Sequence, residues 1–577
     1  MVQKNINKAS TFLQPKARGI IMNKKKYIPV GIHDFKKLIL QGYYFADKSL
    51  FIKELLDIRS EVSLITRPRR FGKTLNLSMA KYFFTNENGQ ENQKLFDGLE
   101  ICRYREYMEY QGKYPVISFT FKDIKELSWK SCYNKICKLI CSIYKENQKI
   151  LTNEKIDKLD RKLFNKIVNQ TADKEDYENA IKDLCKYLYK CYNKNVIVII
   201  DEYDMPILAG YNEDYYKEIV SFMRNLLSAV LKDNEYLEFA ILTGILRIAK
   251  ESIFSGLNNP GVFTVLDKKF NYFGFSEKEV ETILEYYECN DEFENIKTWY
   301  NGYNFGANIV YNPWSILNFI QKKELTSYWI NTSQNSLIKK LLQISNSRIK
   351  DELEQLIEGN SIDKKINEVT TFENIENHSD NLWSLFLFSG YLTYDKKFRD
   401  TRNFTLASLR IPNMEAKILY NSIIDDWFTE SSKIPITDLL KALINGNMEY
   451  FRPAFKQIVE ESLSYFDITG KYPENFYHAF VLGMLINLKS THYIHSNRES
   501  GFGRYDVSIE PKDKAKPGII FEFKKVIEDE TLQEAAQKAM AQIINKNYEA
   551  GLRSRGLDEV IKIAISFHGK KCFIIVK

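Results

Sequence analysis

Apolar positions along the chain fall into two spacings that alternate as in a helix-covered sheet. Val62-Ser-Leu-Ile65 is a short apolar run followed by a polar loop and then LNLSMAKYFF, where Leu75, Met79 and Tyr82 share a helical face. Tyr114 to Lys122 alternates as a strand. Residues 128 to 192 carry a helical, Lys-rich pattern with polar breaks around Asn153 and Thr171. Asn195 to Ile200 is a continuous β-branched run of the kind buried on both faces, and Leu237 to Leu242 reads as a further strand. Before the first strand, Gly31 to Leu56 reads as helix, polar break, helix.

Beyond Phe275 the pattern to Leu392 is mainly helical, opened by a capping box in which Ser276 precedes Glu279 by three residues. Strand signal there is scarce, so this region is expected to be non-catalytic. Ile411 to Phe466 reads as a helical bridge and Pro473 to Leu488 as an apolar helix. Arg504 to Glu510 and Ile519 to Lys525 alternate as strands around a Pro- and Gly-containing turn. An amphipathic helix, Glu530 to Tyr548, and two strands, Ile561 to Phe567 and Cys572 to Lys577, close the chain.

At 577 residues the chain exceeds one core. A hydrophobic share of 44% and an aromatic share of 14% are those of a folded protein. The formal charge of +7 permits a nucleic-acid partner without demanding one. Eight scattered cysteines fit neither a zinc knuckle nor a disulfide frame and read as core thiols of a reducing cytoplasm. No apolar run approaches the roughly 20 residues of a membrane span, so no membrane partner is expected, and nothing in the pattern opposes a homo-oligomer. Residues 1–21 carry bases and no acid, faintly like a transit peptide; a disordered tail before a second candidate start at Met22 is the plainer reading.

The chemistry concentrates where strands end. RPRRFGKT, Arg67 to Thr74, sits between strand and helix as a phosphate loop does. Arg70, Phe71 and Gly72 would supply backbone N–H groups, Lys73 would reach the terminal phosphates of ATP, and the Thr74 hydroxyl would ligate Mg²⁺. Arg67 stands where the general pattern has Gly, and Arg67, Arg69 and Arg70 are expected to add positive charge around the loop. A solvated basic loop is the alternative. Asp201-Glu202 ends the β-branched run: Asp201 would hold Mg²⁺ and Glu202 would deprotonate the attacking water, against a plain acidic turn. At the end of the third strand Thr243 would sense the γ-phosphate and Arg247 would neutralise transition-state charge, unless they are an N-cap and a surface Arg. Asp47-Lys48 reads as a surface charge pair.

RPRRFGKT, IIDEYDMPI, LTGILR, SGLNN, WYNGYNFG and YNPWSI together resemble the AAA-ATPase-like family, P-loop ATPases fused to a C-terminal nuclease-like domain. The likeness runs from about Tyr27 to the C-terminus, and the Arg at position 67 matches that family's own loop. It implies an α/β fold: a P-loop NTPase core with a parallel sheet, a helical lid or winged-helix-like middle region, and a C-terminal αβββαβ domain of the PD-(D/E)XK nuclease type. The expected units are a tail at 1–25, the ATPase at 26–274, the lid at 275–410, the bridge at 411–470 and the nuclease-like domain at 471–577. WYNGY and YNPWS are expected to pack between subdomains.

Centring the C-terminal hairpin on its turn places Asp506 beside Glu522 and Lys524. Two carboxylates and an ammonium on neighbouring strands suit phosphodiester hydrolysis, with Asp506 and Glu522 on Mg²⁺ and Lys524 positioning the nucleophile. A plain charged hairpin has the same pattern. Glu474, Glu499, Arg504, Gln542 and Tyr548 are secondary candidates, and His492 and His495 read as loop or strand-end residues. The function expected is an ATP-hydrolysing protein whose nucleotide state controls a Mg²⁺-dependent nuclease acting on DNA or RNA. A nucleotide-driven switch with a silent nuclease-like domain is the other reading.

Overall fold

The structure, a computed structural model, describes residues 25–247, 260–329, 347–368, 379–420, 422, 434–462, 481, 484, 485, 488, 491–496, 499–501, 503–527, 530–568 and 571–577. The basic tail, SGLNN, Glu474 and most of the Pro473–Leu488 stretch lie outside the described residues.

Five strands form the N-terminal sheet: β1 (Val62–Thr66), β2 (Val116–Thr120), β3 (Val196–Asp201), β4 (Leu237–Gly244) and β5 (Gly261–Phe263). All are parallel, in the order β2-β3-β4-β1-β5. β1 and β3 are buried along their whole length, as their unbroken apolar runs require of a sheet covered on both faces. β4 lies between β1 and β3, and its register pairs Thr66 with Gly244 and Ile200 with Leu242. The carboxyl ends of the three strands are therefore level, and ligands of open α/β sheets gather at such an edge. The helical stretch resolves into Trp129–Glu146, Lys158–Val168 and Lys174–Tyr192, capped by Ser128, Asp157 and Asp173. Cys132 and Cys137 are buried on the first, and burial pushes both thiols up to about 11.

The middle region is mainly helical as far as Leu392, as expected, with helices Glu277–Tyr286, Phe293–Tyr300, Pro313–Lys322, Ser347–Glu358 and Ser379–Ser389, but strands that the pattern did not show accompany them. It carries β6 (Tyr303–Phe305) and β7 (Asn308–Val310) as a small hairpin, and β8 (Ile362–Lys365), β9 (Thr393–Arg399) and β10 (Thr405–Arg410) as an antiparallel sheet in the order β8-β10-β9. These strands escape a periodicity reading because they are short or rich in charge, as in TYDKKFR of β9. Residues of β6, β8, β9, β10 and the helix Ser379–Ser389 join the same hydrophobic core as the parallel sheet.

The C-terminal sheet runs β11-β14-β15-β16-β17, with β11 (His492–Ser496), the short pair β12 (Glu499–Ser500) and β13 (Gly503–Arg504), β14 (Val507–Pro511), β15 (Gly518–Lys525), β16 (Val560–His568) and β17 (Lys571–Val576). Only β15 and β16 pair in parallel, and the helix Leu532–Asn545 makes the crossover between them. The helices Ile436–Ile444 and Met448–Ser462, read above as a bridge, bury Leu439, Leu443, Phe455 and Ile458 in one core with Val507, Phe521 and Ile565 of this sheet. An amphipathic pattern reports that a helix has an apolar face but not which sheet covers it.

Arg67 is fully buried, and this corrects the expectation that it adds charge around the loop. Its guanidinium donates to the carbonyls of Thr66 (2.7 Å), Phe263 (3.0 Å), Lys269 (3.1 Å) and Phe270 (3.1 Å). The rings of Phe273 and Phe305 each lie 5.4 Å from it. Burial lowers its pKa to about 10, so it stays charged at neutral pH. Truncation strands these carbonyls without their donor. Arg67→Ala should therefore cost ~3–5 kcal/mol in urea unfolding, while Arg69→Ala, outside the core, should cost under ~1 kcal/mol. Equal, small effects of the two would remove the structural role assigned to Arg67.

Candidate nucleotide and nuclease sites

The loop after β1 turns through two left-handed residues, Arg70 (φ 68°) and Gly72 (φ 88°). A Cβ at Gly72 would meet nothing within 4 Å, so glycine serves the backbone angle there and not a tight packing. The helix Lys73–Phe84 starts directly after it with no side chain capping its first turn. Its leading N–H groups and its dipole face the loop. Lys73 folds back into the loop, its buried Nζ donating to the carbonyls of Arg67 (2.9 Å) and Pro68 (3.0 Å). Burial lowers its pKa, and the charges of Glu202, Asp201 and Asp204 oppose that fall.

Asp201 is bridged by hydroxyls. Thr74 Oγ1 donates to one carboxylate oxygen (2.6 Å) and Thr243 Oγ1 to the other (2.5 Å). Thr243 is fully buried, and its hydroxyl is engaged by Asp201. The cause is strand order: β4 separates β1 from β3, which sets Thr243 side by side with Asp201. Glu202 follows in a left-handed conformation (φ 51°), strained for a residue with a Cβ. Burial raises its carboxyl pKa; Asp201 and Asp204 add to that, while Lys73 and Arg69 pull it down. Arg247 is half-buried, and its charge reaches Glu368 of the middle region.

Three neighbours escaped the sequence reading. Asp204 accepts the N–H groups of Ile245 (2.7 Å) and Leu246 (3.0 Å), and Tyr203 Oη donates to the Leu246 carbonyl (2.6 Å), so both fix the turn after β4. They lie within the IIDEYD stretch, where the acidic pair drew attention from them. Lys125 belongs to the loop after β2; burial lowers its pKa, with Arg69 adding and Glu202 opposing. Only the pairing of Thr120 with Asp201 brings that loop to the site. Asp47 and Lys48 go elsewhere: Asp47 accepts the Ser49 and Glu100 N–H groups, and Lys48 pairs with Glu279.

The aromatic motifs close around the loop. The Arg70 guanidinium lies 4.1 Å from the Trp314 ring, and Phe71 packs on Tyr303 (4.9 Å) and Phe305 (5.1 Å). Trp329 Nε1 donates to the Arg69 carbonyl (3.1 Å). Its backbone N–H and that of Tyr328 both donate to buried Glu415 (2.6 Å each). At Gly390 an added Cβ would come within 2.8 Å of Pro68.

In the C-terminal hairpin, Val507 pairs with Phe521, which sets Asp506 opposite Glu522 at the next step of the register. Asp506 accepts the Phe523 N–H (2.7 Å), and Glu522 is 2% exposed. Lys524 Nζ stands 3.8 Å from Glu522. Tyr548 is raised by burial and then by the charges of Glu522 and Asp506, so both carboxylates act on one phenol. Gln542 Nε2 donates to Tyr548 Oη (3.0 Å). Glu499 pairs across from Arg504. His492 and His495 begin and nearly end β11; His492 is buried and His495 lies 3.7 Å from Glu510.

Both places offer oxygen donors only, hydroxyl with carboxylate at Thr74–Asp201 and two carboxylates at Asp506–Glu522. That set fits Mg²⁺, which keeps waters and takes phosphate oxygens for its remaining positions. No group of three or more His, Cys, Asp or Glu able to hold a metal occurs among the described residues. No helix among them is long and apolar enough to cross a membrane.

Comparison with known proteins agrees with the two folds. The family described as Predicted AAA-ATPase matches residues 29–254, and the PD-(D/E)XK nuclease superfamily matches residues 472–577. An uncharacterized protein in the vnfD 5' region of Azotobacter chroococcum mcd 1 is 27% identical over 554 residues, spanning 93% of this chain and 95% of that protein. The chain thus carries an AAA-ATPase-like domain followed by a C-terminal PD-(D/E)XK nuclease superfamily domain.

Proposed function

We propose that this protein binds and hydrolyses ATP at the loop Arg70 to Thr74, and that its nucleotide state controls a nuclease site at Asp506, Glu522 and Lys524 acting on DNA or RNA. The observation that carries the reading is the contact of Thr74 with Asp201, which ties the phosphate loop to the acidic strand end at 2.6 Å. Mg²⁺ bound at each place would supply charge neutralisation on phosphate and, at the second, acidification of water. Lys73 balances charge on the terminal phosphates. Glu202 takes the proton of the attacking water, and Thr243 keeps Asp201 oriented. In the C-terminal site Asp506 and Glu522 hold the cation, and Lys524 orients the nucleophile or offsets charge on the scissile phosphate. Coupling is supported by the middle region's grip on Arg69, Arg70 and Phe71, which any rearrangement of the loop would disturb.

Two measurements test this. In cleavage assays on DNA and RNA with Mg²⁺, with and without ATP, Glu522→Ala should lower cutting by about 100-fold or more while phosphate release from ATP continues. Lys73→Ala should abolish that release and remove the response of cutting to ATP. ATP hydrolysis with no cutting under any divalent metal would leave a nucleotide-driven binding protein instead.

The second measurement uses pH. A base works ionised, and the Glu202 carboxyl is held above the ordinary value of about 4.3. The acid limb of kcat for ATP should therefore lie above the usual carboxylate range. Asp204→Asn removes one of the negative charges that raise Glu202, and the limb should move to lower pH. An unmoved limb would take the role of base away from Glu202.

A further inference from the structure

The middle sheet presents one face to the core and one to solvent. Ala407 and Leu409 of β10 and Ile362 and Lys364 of β8 are buried on the inner face. On the outer face the register aligns Lys365, Leu406 and Phe398 in a row across the three strands. Phe404 precedes Leu406 by two residues and so shares this face. Phe398 is 40% exposed and Phe404 42%, unusual for two phenylalanines placed as diagonal neighbours on one sheet. Lys365 Nζ sits 3.3 Å from the centre of the Phe404 ring, so the platform is cationic as well as aromatic. Lys396 and Arg402 flank it and are exposed, while the one acid of the connecting turn, Asp400, accepts the backbone N–H groups of Arg402 and Phe404.

Exposed rings on a sheet, bordered by cations, match a strand of unpaired bases: each ring offers a face for stacking, and the cations meet the phosphates. A duplex hides its base faces and could use only the cations. We propose that the outer face of β8-β10-β9 binds single-stranded nucleic acid, with Phe398 and Phe404 stacking bases and Lys365, Lys396 and Arg402 contacting phosphates. The proposal shares with the reading above the choice of nucleic acid as partner, but it requires neither hydrolysis of ATP nor cleavage.

Anisotropy of labelled oligo-dT and oligo-U, and of a labelled duplex, measured on the full chain in EDTA, tests it. Wild type should bind the single strands more tightly than the duplex. Phe398→Ala with Phe404→Ala should weaken single-strand binding by roughly 30-fold or more, while the Tyr replacements, which keep the rings, should bind within about 3-fold of wild type. Lys396→Ala with Arg402→Ala should lower the salt slope by roughly 1.4. Unchanged single-strand affinity in the double Ala variant, with Glu522-dependent cutting intact, would overturn the platform and leave the nuclease reading standing. Loss of binding in that variant, with no cutting by wild type, would do the reverse. Failure of wild type to bind any single strand would overturn the platform, and Glu522-dependent cutting in Mg²⁺ would still decide the nuclease reading.

Discussion

A buried guanidinium organises the nucleotide loop. Removing a charge from water is costly, and the cost is offset here by hydrogen bonds to the carbonyls of Thr66, Phe263, Lys269 and Phe270 and by aromatic faces on Phe273 and Phe305. Because those carbonyls belong to the end of β1, the end of β5 and the segment leading to Phe273, one side chain ties three pieces of backbone together. Lys73 in turn donates to the carbonyl of Arg67 itself and to that of Pro68. The loop's anchored start and its reactive ammonium are thus parts of one network.

Sheet order does the rest of the assembly. With β4 between β1 and β3, hydroxyls reach Asp201 from the loop helix on one side and from the neighbouring strand on the other. Glu202, one residue on, is kept in a left-handed conformation with a raised carboxyl pKa, while Asp204 is consumed in holding the next turn. Three acids within four residues therefore occupy different electrostatic settings. Such separation suits the roles proposed for them, Asp201 as ligand, Glu202 as base and Asp204 as scaffold.

The middle region shares the parallel sheet's core and grips the loop through Trp314, Trp329, Tyr303 and Gly390. The C-terminal sheet has a core of its own, completed by the helices of 436–462. The two candidate sites are thus backed by separate packed interiors.

Local sequence by itself determined the elements whose pattern is strong and self-contained. The apolar runs became β1, β3 and β4, the Lys-rich stretch became three capped helices, and the alternation around residues 511–518 set Asp506 against Glu522. Each depends on side-chain periodicity or turn position within a few residues, which a chain displays openly. Tertiary structure alone decided what non-local pairing controls. Arg67 turned inward because carbonyls 196 and 202 residues away in sequence converge on it. Thr243 faces Asp201 because β4 intervenes between two other strands, and Lys125 reaches the site only through the register of β2 with β3. The charged strands of the middle sheet form because their partners and the core behind them supply the stability that their own residues do not announce.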